Sequence, residues 1–454
     1  MKPTACYSLA CWSIVALLAV VSPVGAEELA PAATPFVLTN TPASPNGGWC
    51  WYQDERAIVD TAAADDPLLL VSSVSAGEAA ERGDIDLHWR NLRTGEQGTF
   101  ELDDQLEQDD HNVAALYLRP DGRYLALWAR HNSDRKTYWR VSENPHDPTA
   151  WGPINTINNG AGTTYNNVYY LPGDRNGEGR LYNFTRARNF DPNVQVSYDQ
   201  GTTWQYAGKL MTEGGGGDRP YVRYAGDGKR IHLMTTERHP RNFANSIFHG
   251  YVADGTLFDS HGDMIDSSIL DDQGEAPAKV TCVFRNGSTY DGLVMNRAWT
   301  TSLELDAEGL PVGVFTARVN DSNEDHRFFY AKFDGTQWQV HHMAEAGGYL
   351  YLREDDYTGL AAIDPDDTSV VYLSTDVDPR SGDETEHYEI YRGKTSDIGA
   401  TWQWSAITEN SAVDNLRPIV PAYHRDQTVL LWLQGDFSTY TEYATEVVGL
   451  VLDE

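Results

Sequence analysis

The sequence predicts an all-β fold, a seven-bladed β-propeller, and three observations support this prediction. First, a turn residue followed by an apolar, β-rich run with a polar end occurs seven times, and the copies begin 49 to 81 residues apart. Second, no sustained helical periodicity competes with these short runs. Third, 13 Trp, 25 Tyr and 39 Gly suit one large β domain. The copies are PLLLVSSVSA (from Pro67), GRYLALWARH (Gly122), GRLYNFTRAR (Gly179), GKRIHLMTTERH (Gly228), GLPVGVFTAR (Gly309), TSVVYLSTDV (Thr368) and QTVLLWLQGD (Gln427).

Two further segments resemble the Asp-box turn of sialidase-like propellers, S/T-x-D-x-G-x-T-W. They are SYDQGTTW, from Ser197 to Trp204, and TSDIGATW, from Thr395 to Trp402. In such a turn the Asp is expected to bond backbone amides while the Trp packs between strands. The motif supports the propeller and indicates little about chemistry. A tandem of β-sandwiches is the alternative architecture.

The first residues, 1–26, are typical of a secretory signal peptide, which leaves 27–454 as a single propeller domain. An apolar run is followed by small residues that end at Ala26. No later run is long and apolar enough to span a bilayer, so we expect a soluble, secreted protein in the periplasm or the medium. In the mature chain Cys50 and Cys282 could form one accessory disulfide.

The charge balance limits the partners of the chain. The sequence carries 34 basic and 67 acidic residues, for a formal net charge of -33. Such a charge argues against binding to nucleic acid or to an anionic membrane. Salt screens charges that lie beyond roughly 8 to 10 Å, however, so a local cluster of arginines could still bind an anionic ligand.

Polar residues stand at corresponding strand ends in consecutive blades. Neighbouring antiparallel strands place the start of the first beside the end of the second, so His111 should lie near His131. The same pairing predicts that Tyr165 meets Arg186 and Arg188, and that Arg219 and Tyr221 meet His239. Later blades offer Arg318, Tyr357 and Arg417 at comparable positions. We therefore expect these side chains to line one cleft on one face of the propeller.

The residue types of this cleft favour some reactions over others. Paired carboxylates do not stand out, which weakens glycoside hydrolysis. A hydrolase of sialidase type would use a Tyr nucleophile and three arginines, which Arg186, Arg219 and Arg417 could imitate, but no matching R-I-P sequence precedes them. The motifs of serine hydrolases, P-loop proteins and H-E-x-x-H metalloproteases are also missing from the sequence.

His, Tyr and Arg suit β-elimination from a uronic acid. The proton at C5 becomes removable when an arginine neutralises the adjacent carboxylate. A base then takes this proton and an acid protonates the leaving O4, and Tyr and His can fill both roles. A nearby arginine is also expected to lower the pKa of a Tyr, which would help a phenolate to act as the base. This chemistry needs no cofactor.

Several segments resemble the BNR-repeat ulvan lyases of polysaccharide lyase families 24 and 25. They are GGWCWYQDERA (47–57), DDHN (109–112), ARHN (129–132), RPY (219–221), ERHPRNFANSIFHGYV (237–252), DYTGL (356–360) and VDNLRPIVP (413–421). The resemblance implies a seven-bladed propeller that cleaves ulvan, a sulfated rhamnose-uronate polysaccharide, by β-elimination. It also implies an anionic sulfated polysaccharide as the partner, and we expect a monomer. The alternatives are a lyase acting on another uronate glycan and a propeller that only binds sulfated glycan.

The same resemblance implies roles for individual residues. His111 and Tyr165 would be the acid and base in either order, although His111 and His131 could instead share this work. Arg186 would neutralise the uronate, with Arg188 as its rival. Contacts with the sugar would come from His131, Arg188, Arg219, Tyr221 and His239. Some relatives hold a structural metal ion, but Cys282 with His249 or His261 matches no standard spacing, and the metal site stays unassigned.

Overall fold

A computed structural model describes residues 34–39, 46–62, 66–76, 82–215 and 218–453. The predicted signal peptide, residues 1–26, lies outside these ranges. Within them, seven antiparallel sheets of four to six strands follow one another along the chain. This arrangement confirms the predicted all-β fold and the seven-bladed propeller.

The blades are numbered here in chain order, after a short strand β1 (Phe36–Val37). Blade 1 contains β2 (Ala57–Asp60), β3 (Leu68–Val74), β4 (Ile85–Asn91) and β5 (Gln97–Asp103). Blade 2 contains β6 (Ala115–Leu118), β7 (Tyr124–Trp128), β8 (Lys136–Val141) and β9 (Asn155–Asn158). Blade 3 contains β10 (Thr164–Leu171), β11 (Arg180–Arg186), β12 (Pro192–Ser197) and β13 (Gln205–Lys209). Blade 4 contains β14 (Val222–Gly226), β15 (Ile231–Thr235), β16 (Ile247–Ala253), β17 (Thr256–Asp259), β18 (Met264–Asp266) and β19 (Thr281–Phe284).

The remaining three blades complete the ring. Blade 5 contains β20 (Thr289–Tyr290), β21 (Leu293–Leu305), β22 (Pro311–Val319), β23 (His326–Phe333) and β24 (Trp338–Gly347). Blade 6 contains β25 (Ala361–Ile363), β26 (Val370–Val377), β27 (Glu384–Lys394) and β28 (Gln403–Ala406). Blade 7 contains β29 (Asn415–Ile419), β30 (Gln427–Thr439) and β31 (Glu442–Asp453), and β1 joins its outer edge. Helical structure in the described ranges is limited to α1 (Asp174–Gly177) and to short 3-10 turns at Asp110–Asn112, Arg188–Phe190 and Pro277–Lys279.

The seven sequence repeats fall on one strand of each blade, namely β3, β7, β11, β15, β22, β26 and β30. Each of these strands has a hydrogen-bonded partner on both sides. Neighbouring blades also cover both faces of each sheet, which explains why these strands are nearly continuous apolar runs. The longest interval between repeats, from 228 to 309, contains the added strands β18, β19 and β20.

Both Asp-box turns form as predicted. An Asp199 carboxylate oxygen accepts a hydrogen bond from the Thr203 amide at 2.8 Å, and Asp397 and Thr401 repeat this contact at 2.8 Å. The Trp204 side chain is buried in the cluster that joins blades 2 and 3. These turns fix the outer hairpins and lie outside the candidate site described below.

Residues 48–56 fill the centre of the ring and are called the central segment here. This segment bonds to four different blades. Cys50 N donates to Asp110 O (3.0 Å), Trp51 Nε1 to Thr300 O (3.1 Å), Asp54 N to Asn166 O (3.2 Å) and Trp49 Nε1 to Arg417 O (3.1 Å). The central segment therefore separates the two ends of the propeller channel.

The structure also bears on two further expectations, the accessory disulfide and the membrane-spanning segments. Cys50 lies in the central segment and Cys282 lies in β19, and both are free thiols, so the accessory disulfide does not form. None of the helices in the described ranges is long and apolar enough to cross a membrane.

Candidate active site

One end of the channel opens into a cavity of about 470 Å³, called the mouth here. This volume falls within the range that is usual for small-ligand sites. Five of the eight predicted site residues line it, namely His111, His131, Arg186, Tyr221 and His239. The other residues that line it are Asp109, Asn132, Phe190, Arg241, Glu354, Tyr357, Tyr440 and Thr441.

The two histidines of blade 2 form a stacked pair in the mouth. His111 lies in the 3-10 turn before β6, and His131 follows β7. Their ring centroids are 3.9 Å apart and their planes differ by 11°. Asp109 accepts a hydrogen bond from Nδ1 of His111 at 2.7 Å and from Nδ1 of His131 at 2.8 Å. The predicted proximity is confirmed, and the Nε2 atoms are the ones left for a substrate.

The pair holds its charge unequally. Two imidazolium ions at this separation would repel by about 4 kcal/mol at an effective dielectric constant of roughly 20, so only one ring is protonated at neutral pH. Burial opposes the charged form of His111, but the acidic groups around it, in the order Cys50, Tyr165, Asp110 and Asp109, raise its pKa well above 6.5. Burial and the charge of His111 lower the pKa of His131. His111 is therefore the cation and His131 is neutral.

Tyr165 lies at the inner edge of blade 3, next to this pair. Its ring centroid is 5.7 Å from that of His111, and the residue is 8% exposed. The pairing of β10 with β11 shifts register between Thr164 and Asn167, and Tyr165 adopts a positive φ of 66°. A bulge of this kind redirects a side chain at a cost in backbone strain, and such positions cluster at functional sites.

The expected phenolate at Tyr165 is not supported. Burial raises the pKa of this phenol well above 10, and the charges of Arg186 and His111 lower it only in part. The arginine acts in the expected direction, but desolvation outweighs it. Tyr165 is therefore a neutral phenol at rest and can donate a proton.

Arg186 ends β11 and faces the mouth between two tyrosines. Its Nη1 donates to the Tyr221 hydroxyl at 3.1 Å, and its guanidinium lies 4.7 Å from the centre of the Tyr165 ring. Thr164, and not Tyr165, stands opposite Arg186 in the β10–β11 register, but the predicted contact between Tyr165 and Arg186 does form through their side chains. Among the described residues, no carboxylate forms an ion pair with Arg186, which leaves a cation available for an anionic ligand.

Two of the predicted substrate-binding arginines lie elsewhere. Arg188 pairs with Asp272 at 3.0 Å and covers the Tyr206 ring at 3.5 Å, outside the mouth. Arg219 is buried, lies 3.5 Å from Asp191 and donates to nearby backbone carbonyls. Each of these two arginines has a carboxylate from another part of the chain within 3.5 Å, whereas Arg186 has no such partner among the described residues.

A sialidase-like set of three arginines is not assembled either. Arg417 is fully buried and bonds to Asp110 and to the Trp49 carbonyl. Arg318, which a later blade offers at a comparable position, donates two 2.7 Å hydrogen bonds to Asp356. Of the residues suggested for the later blades, Tyr357 alone lines the mouth.

The far wall of the mouth combines Tyr221, His239 and a carboxylate. The rings of Tyr221 and His239 lie 5.2 Å apart, as their strand positions predicted. Burial lowers the pKa of His239 to about 3, so this ring is neutral. Glu354 lies 3.6 Å from His239 and is paired with Arg241 at 2.6 Å. One end of the wall is thus acidic, although the opposite wall is cationic.

Sequence reasoning missed several residues of the mouth. Asp109 stands inside the DDHN segment, but nothing in the sequence showed that it reaches both histidines. Glu354 and Arg241 are 113 residues apart in the chain, and Tyr440 lies at the tip of the β30–β31 hairpin, so no local pattern joins them. Tyr52 of the central segment contacts Tyr221 at 5.0 Å and closes the floor.

Three groups of acidic, His or Cys side chains in the described ranges could in principle ligate a metal ion. They are Cys50 with Asp110 and His111, Asp109 with His111 and His131, and Asp84 with Glu101 and Asp104. Arg417 already binds Asp110, and both Nδ1 atoms of the histidine pair already bond to Asp109. The first two groups therefore do not fit a metal, and the suggested set of Cys282 with His249 or His261 is not among the three. The third is a cluster of acidic side chains and identifies no metal by itself.

Comparison with known proteins agrees with this architecture. The family described as a BNR repeat-containing family member matches residues 75–346. A polysaccharide lyase PL25 ulvan lyase, solved bound to GlcA(1-4)Rha3S, has a TM-score of 0.62 at 14% identity, over 90% of this chain and 94% of its own. The polysaccharide lyase Uly1 has a TM-score of 0.53 at 14% identity, over 88% of this chain and 90% of its own.

A glycosidase propeller also matches, at a lower level. The GH93 alpha-L-arabinofuranosidase of Fusarium graminearum, in complex with arabinobiose, has a TM-score of 0.42 at 12% identity, over 75% of this chain and 92% of its own. No curated protein matches the chain by sequence. At these identities the structural likenesses establish the propeller fold and do not establish the reaction.

Proposed function

The chain belongs to the BNR repeat-containing family, and we propose that it is a polysaccharide lyase that cleaves ulvan by β-elimination at the uronic acid. The observation that carries this proposal is the unpaired Arg186 cation beside Tyr165 and the histidine pair. A half-buried cation with no carboxylate partner in the described part of the protein is suited to a carboxylate that arrives with the substrate.

Arg186 neutralises the uronate in this proposal. Its fork of N–H donors meets the substrate carboxylate and stabilises the negative charge that develops when the C5 proton leaves. The tyrosines on either side hold the guanidinium in place, since Tyr221 accepts from Nη1 and Tyr165 lies beneath the plane. Arg186 is half-buried, and partial removal from water strengthens its interaction with the developing charge.

The charge states suggest how the protons move. His131 is neutral and takes the C5 proton at Nε2, the electron pair forms the C4–C5 double bond, and the C4–O4 bond breaks. Tyr165 or the His111 imidazolium donates a proton to O4 as it leaves. The acid is regenerated when the proton on His131 is returned through solvent. The base role thus moves from His111, which the acidic groups around it keep protonated, to its neighbour His131.

The substrate class follows from the same chemistry. A C5 proton next to a carboxylate requires a uronic acid, and a sulfated rhamnose-uronate chain such as ulvan contains one in each repeat. Ulvan is further supported by the likeness of this propeller to a PL25 ulvan lyase. We also propose that the protein is secreted by its signal peptide and acts as a monomer on this polymer outside the cell.

A hydrolase remains a second candidate because of one observation. Glu354 lines the mouth, has a buried carboxylate oxygen with no hydrogen-bond partner, and has a raised pKa through burial. A carboxyl group of this kind is suited to protonate a glycosidic oxygen. The two candidates differ in their products, because elimination alone creates an unsaturated uronyl end.

The test is to incubate the protein with ulvan and with ulvan whose carboxyl groups have been reduced to alcohols. We expect ultraviolet absorbance from unsaturated uronate with the native polymer and none with the reduced one. Chain shortening without this absorbance would transfer the proposal to a hydrolase. Absorbance from another uronate polymer and none from ulvan would keep the reaction and change the substrate. Binding without any cleavage would leave a glycan-binding propeller.

A further inference from the structure

We propose that Asp109 is a positioning residue that joins His111 and His131 into one bridged pair and directs the Nε2 atom of each ring to the substrate. This inference rests on the proposed function for its kinetic consequence, although the bridge itself can be tested without any substrate. Asp109 does not touch the reacting atoms. It acts through the two imidazoles.

Three hydrogen bonds converge on the Asp109 carboxylate. Oδ1 accepts from Nδ1 of His111 at 2.7 Å and from the His111 backbone amide at 3.0 Å. Oδ2 accepts from Nδ1 of His131 at 2.8 Å. The residue is 4% exposed, so water does not compete for these positions. Each oxygen thus fixes one ring, and a carboxylate that only accepts requires a proton on both Nδ1 atoms.

The bridge links two parts of blade 2 that are distant in the chain. Asp109 has extended backbone at the start of the 3-10 turn, whereas His131 lies 22 residues later, after β7. Tyr440 packs edge-on against both rings, with centroid distances of 5.2 Å to His111 and 5.5 Å to His131. The Tyr440 carbonyl also accepts from the Asp110 amide at 2.9 Å. The pair is therefore held on one side by a carboxylate and on another by an aromatic ring.

The Asp109 bridge and the charges around the histidine pair together determine where each ring carries its protons. Groups that face it come from several elements, namely Cys50 of the central segment, Asp110 beside Asp109, Tyr165 and Arg186 of blade 3, Arg417 and Tyr440 of blade 7, and Glu354 of the far wall. Asp110 bonds to Arg417 through Oδ2, and its Oδ1 lies 2.7 Å from Nδ1 of His111. Asp109 reaches His131 as well as His111, so Asp109 is the carboxylate that both rings share. With both Nδ1 protons fixed, proton exchange is confined to the Nε2 atoms. The neutral ring can then accept a proton while its neighbour stays charged.

The chain contains a matched carboxylate for comparison. Asp60 is fully buried and accepts from Nδ1 of His146 at 2.6 Å and from the Tyr124 hydroxyl at 2.7 Å, away from the mouth. Asp60→Asn therefore removes a buried acid that bonds to a histidine without altering the proposed machinery. It reports what such a loss does to folding alone.

The kinetic experiment compares Asp109→Asn, Asp60→Asn and the unaltered protein on ulvan. An amide can accept from one imidazole only. Oδ1 of Asp110 also lies 2.7 Å from Nδ1 of His111, so we expect His131 to be the ring that faces the NH2 group and gives up its Nδ1 proton. We expect Asp109→Asn to lower kcat by about 100-fold or more, with KM within about threefold, and to displace the pH profile of kcat. Asp60→Asn should keep the unaltered kcat and pH profile. Equal kcat in all three proteins, or equal losses in both variants, would overturn the proposal.

A second measurement needs no activity. Nitrogen NMR of protein labelled at its histidines distinguishes the Nδ1–H form from the Nε2–H form, and His111→Asn and His131→Asn assign the two rings. The bridge predicts a protonated Nδ1 on both rings in the unaltered protein and one Nε2–H tautomer in Asp109→Asn. An Nε2–H tautomer of His131 in the unaltered protein would contradict the bridge. If ulvan gives no elimination but these tautomers are found, the proposed function fails and the bridge stands.

Discussion

The two ends of the propeller channel are similar in size and differ in charge. The mouth has a volume of about 470 Å³ and is lined by Arg186, Arg241 and three histidines together with the carboxylates of Asp109 and Glu354. The opposite opening has a volume of about 600 Å³ and is lined by one lysine, Lys229, and by five carboxylic acids, namely Glu55, Asp227, Glu304, Asp306 and Glu308. The central segment separates them. Volume alone would therefore not identify the site.

The difference shows where this acidic chain keeps an available cation. The net charge is -33, and Arg188, Arg219, Arg318 and Arg417 all lie beside carboxylates. Arg186 has hydroxyl and aromatic neighbours instead. At the opposite opening, burial and the nearby Asp54 charge raise the pKa of Glu55 to about 8. An anionic sugar is suited to the first end and is repelled by the second.

Removing Arg186 should have the largest effect, because the mouth then loses its available cation. We expect Arg186→Ala to lower kcat on ulvan by about 1,000-fold, because the developing charge loses its neutralising partner. Arg188→Ala is the matched control, since its ion pair with Asp272 lies outside the mouth. Its kcat should stay within about threefold of the unaltered protein. Similar losses in both variants would show that the mouth has no special role.

The base role of His131 can be tested next. We expect His131→Asn to lower kcat by about 100-fold or more, within the usual range for a general base. Because burial and His111 lower the pKa of His131, its neutral form persists below pH 6.5, and the acid limb of the kcat profile should lie below that value. His146→Asn, on a ring paired with Asp60, is the control and should keep the profile. An acid limb above pH 6.5 would contradict this role.

Removing the hydroxyl group that holds Arg186 in place should lower activity less than removing Arg186 itself. Tyr221→Phe removes the hydroxyl that accepts from Arg186 at 3.1 Å, and we expect kcat/KM to fall by about 10-fold. Tyr206→Phe is its counterpart, because Tyr206 packs against Arg188 outside the mouth. Steady-state kinetics of the two variants should differ by this factor. No difference would show that Arg186 is held in place by its other contacts alone.

A substitution at the opposite opening should change the stability of the protein and not its turnover of substrate. Glu55 has a folded pKa of about 8 against 4.5 in the unfolded chain, so its contribution is complete below pH 4.5 and is lost as the pH rises through 8. We expect Glu55→Gln to be more stable than the unaltered protein at pH 9, by roughly 1 to 2 kcal/mol, and equally active. Urea unfolding at pH 4.5 and pH 9 checks this difference. A stability gain that is equal at both pH values would rule out the titration of Glu55 as its cause.

The sequence predicted the fold and part of the mouth, and there is a physical reason why it did not predict the rest of the mouth. Seven similar strands predict seven blades, and antiparallel pairing predicts that His111 lies beside His131 and that Tyr165 lies beside Arg186. Strand pairing does not specify where a long side chain ends. The predicted placement of Arg188 and Arg219 in the site is therefore wrong, because Arg188 pairs with Asp272 and Arg219 lies beside Asp191. The bulge that turns Tyr165 inward leaves no pattern in the sequence. Glu354 and Arg241 meet only because the ring closes.

The most direct test of the account is a count of chain ends after digestion of ulvan. Ultraviolet absorbance measures the unsaturated uronyl ends, and a reducing-sugar assay on the same sample measures all new ends. Elimination at a mouth that neutralises the uronate predicts one unsaturated uronyl end for each new reducing end. New reducing ends without unsaturated uronate would contradict the account and identify a hydrolase.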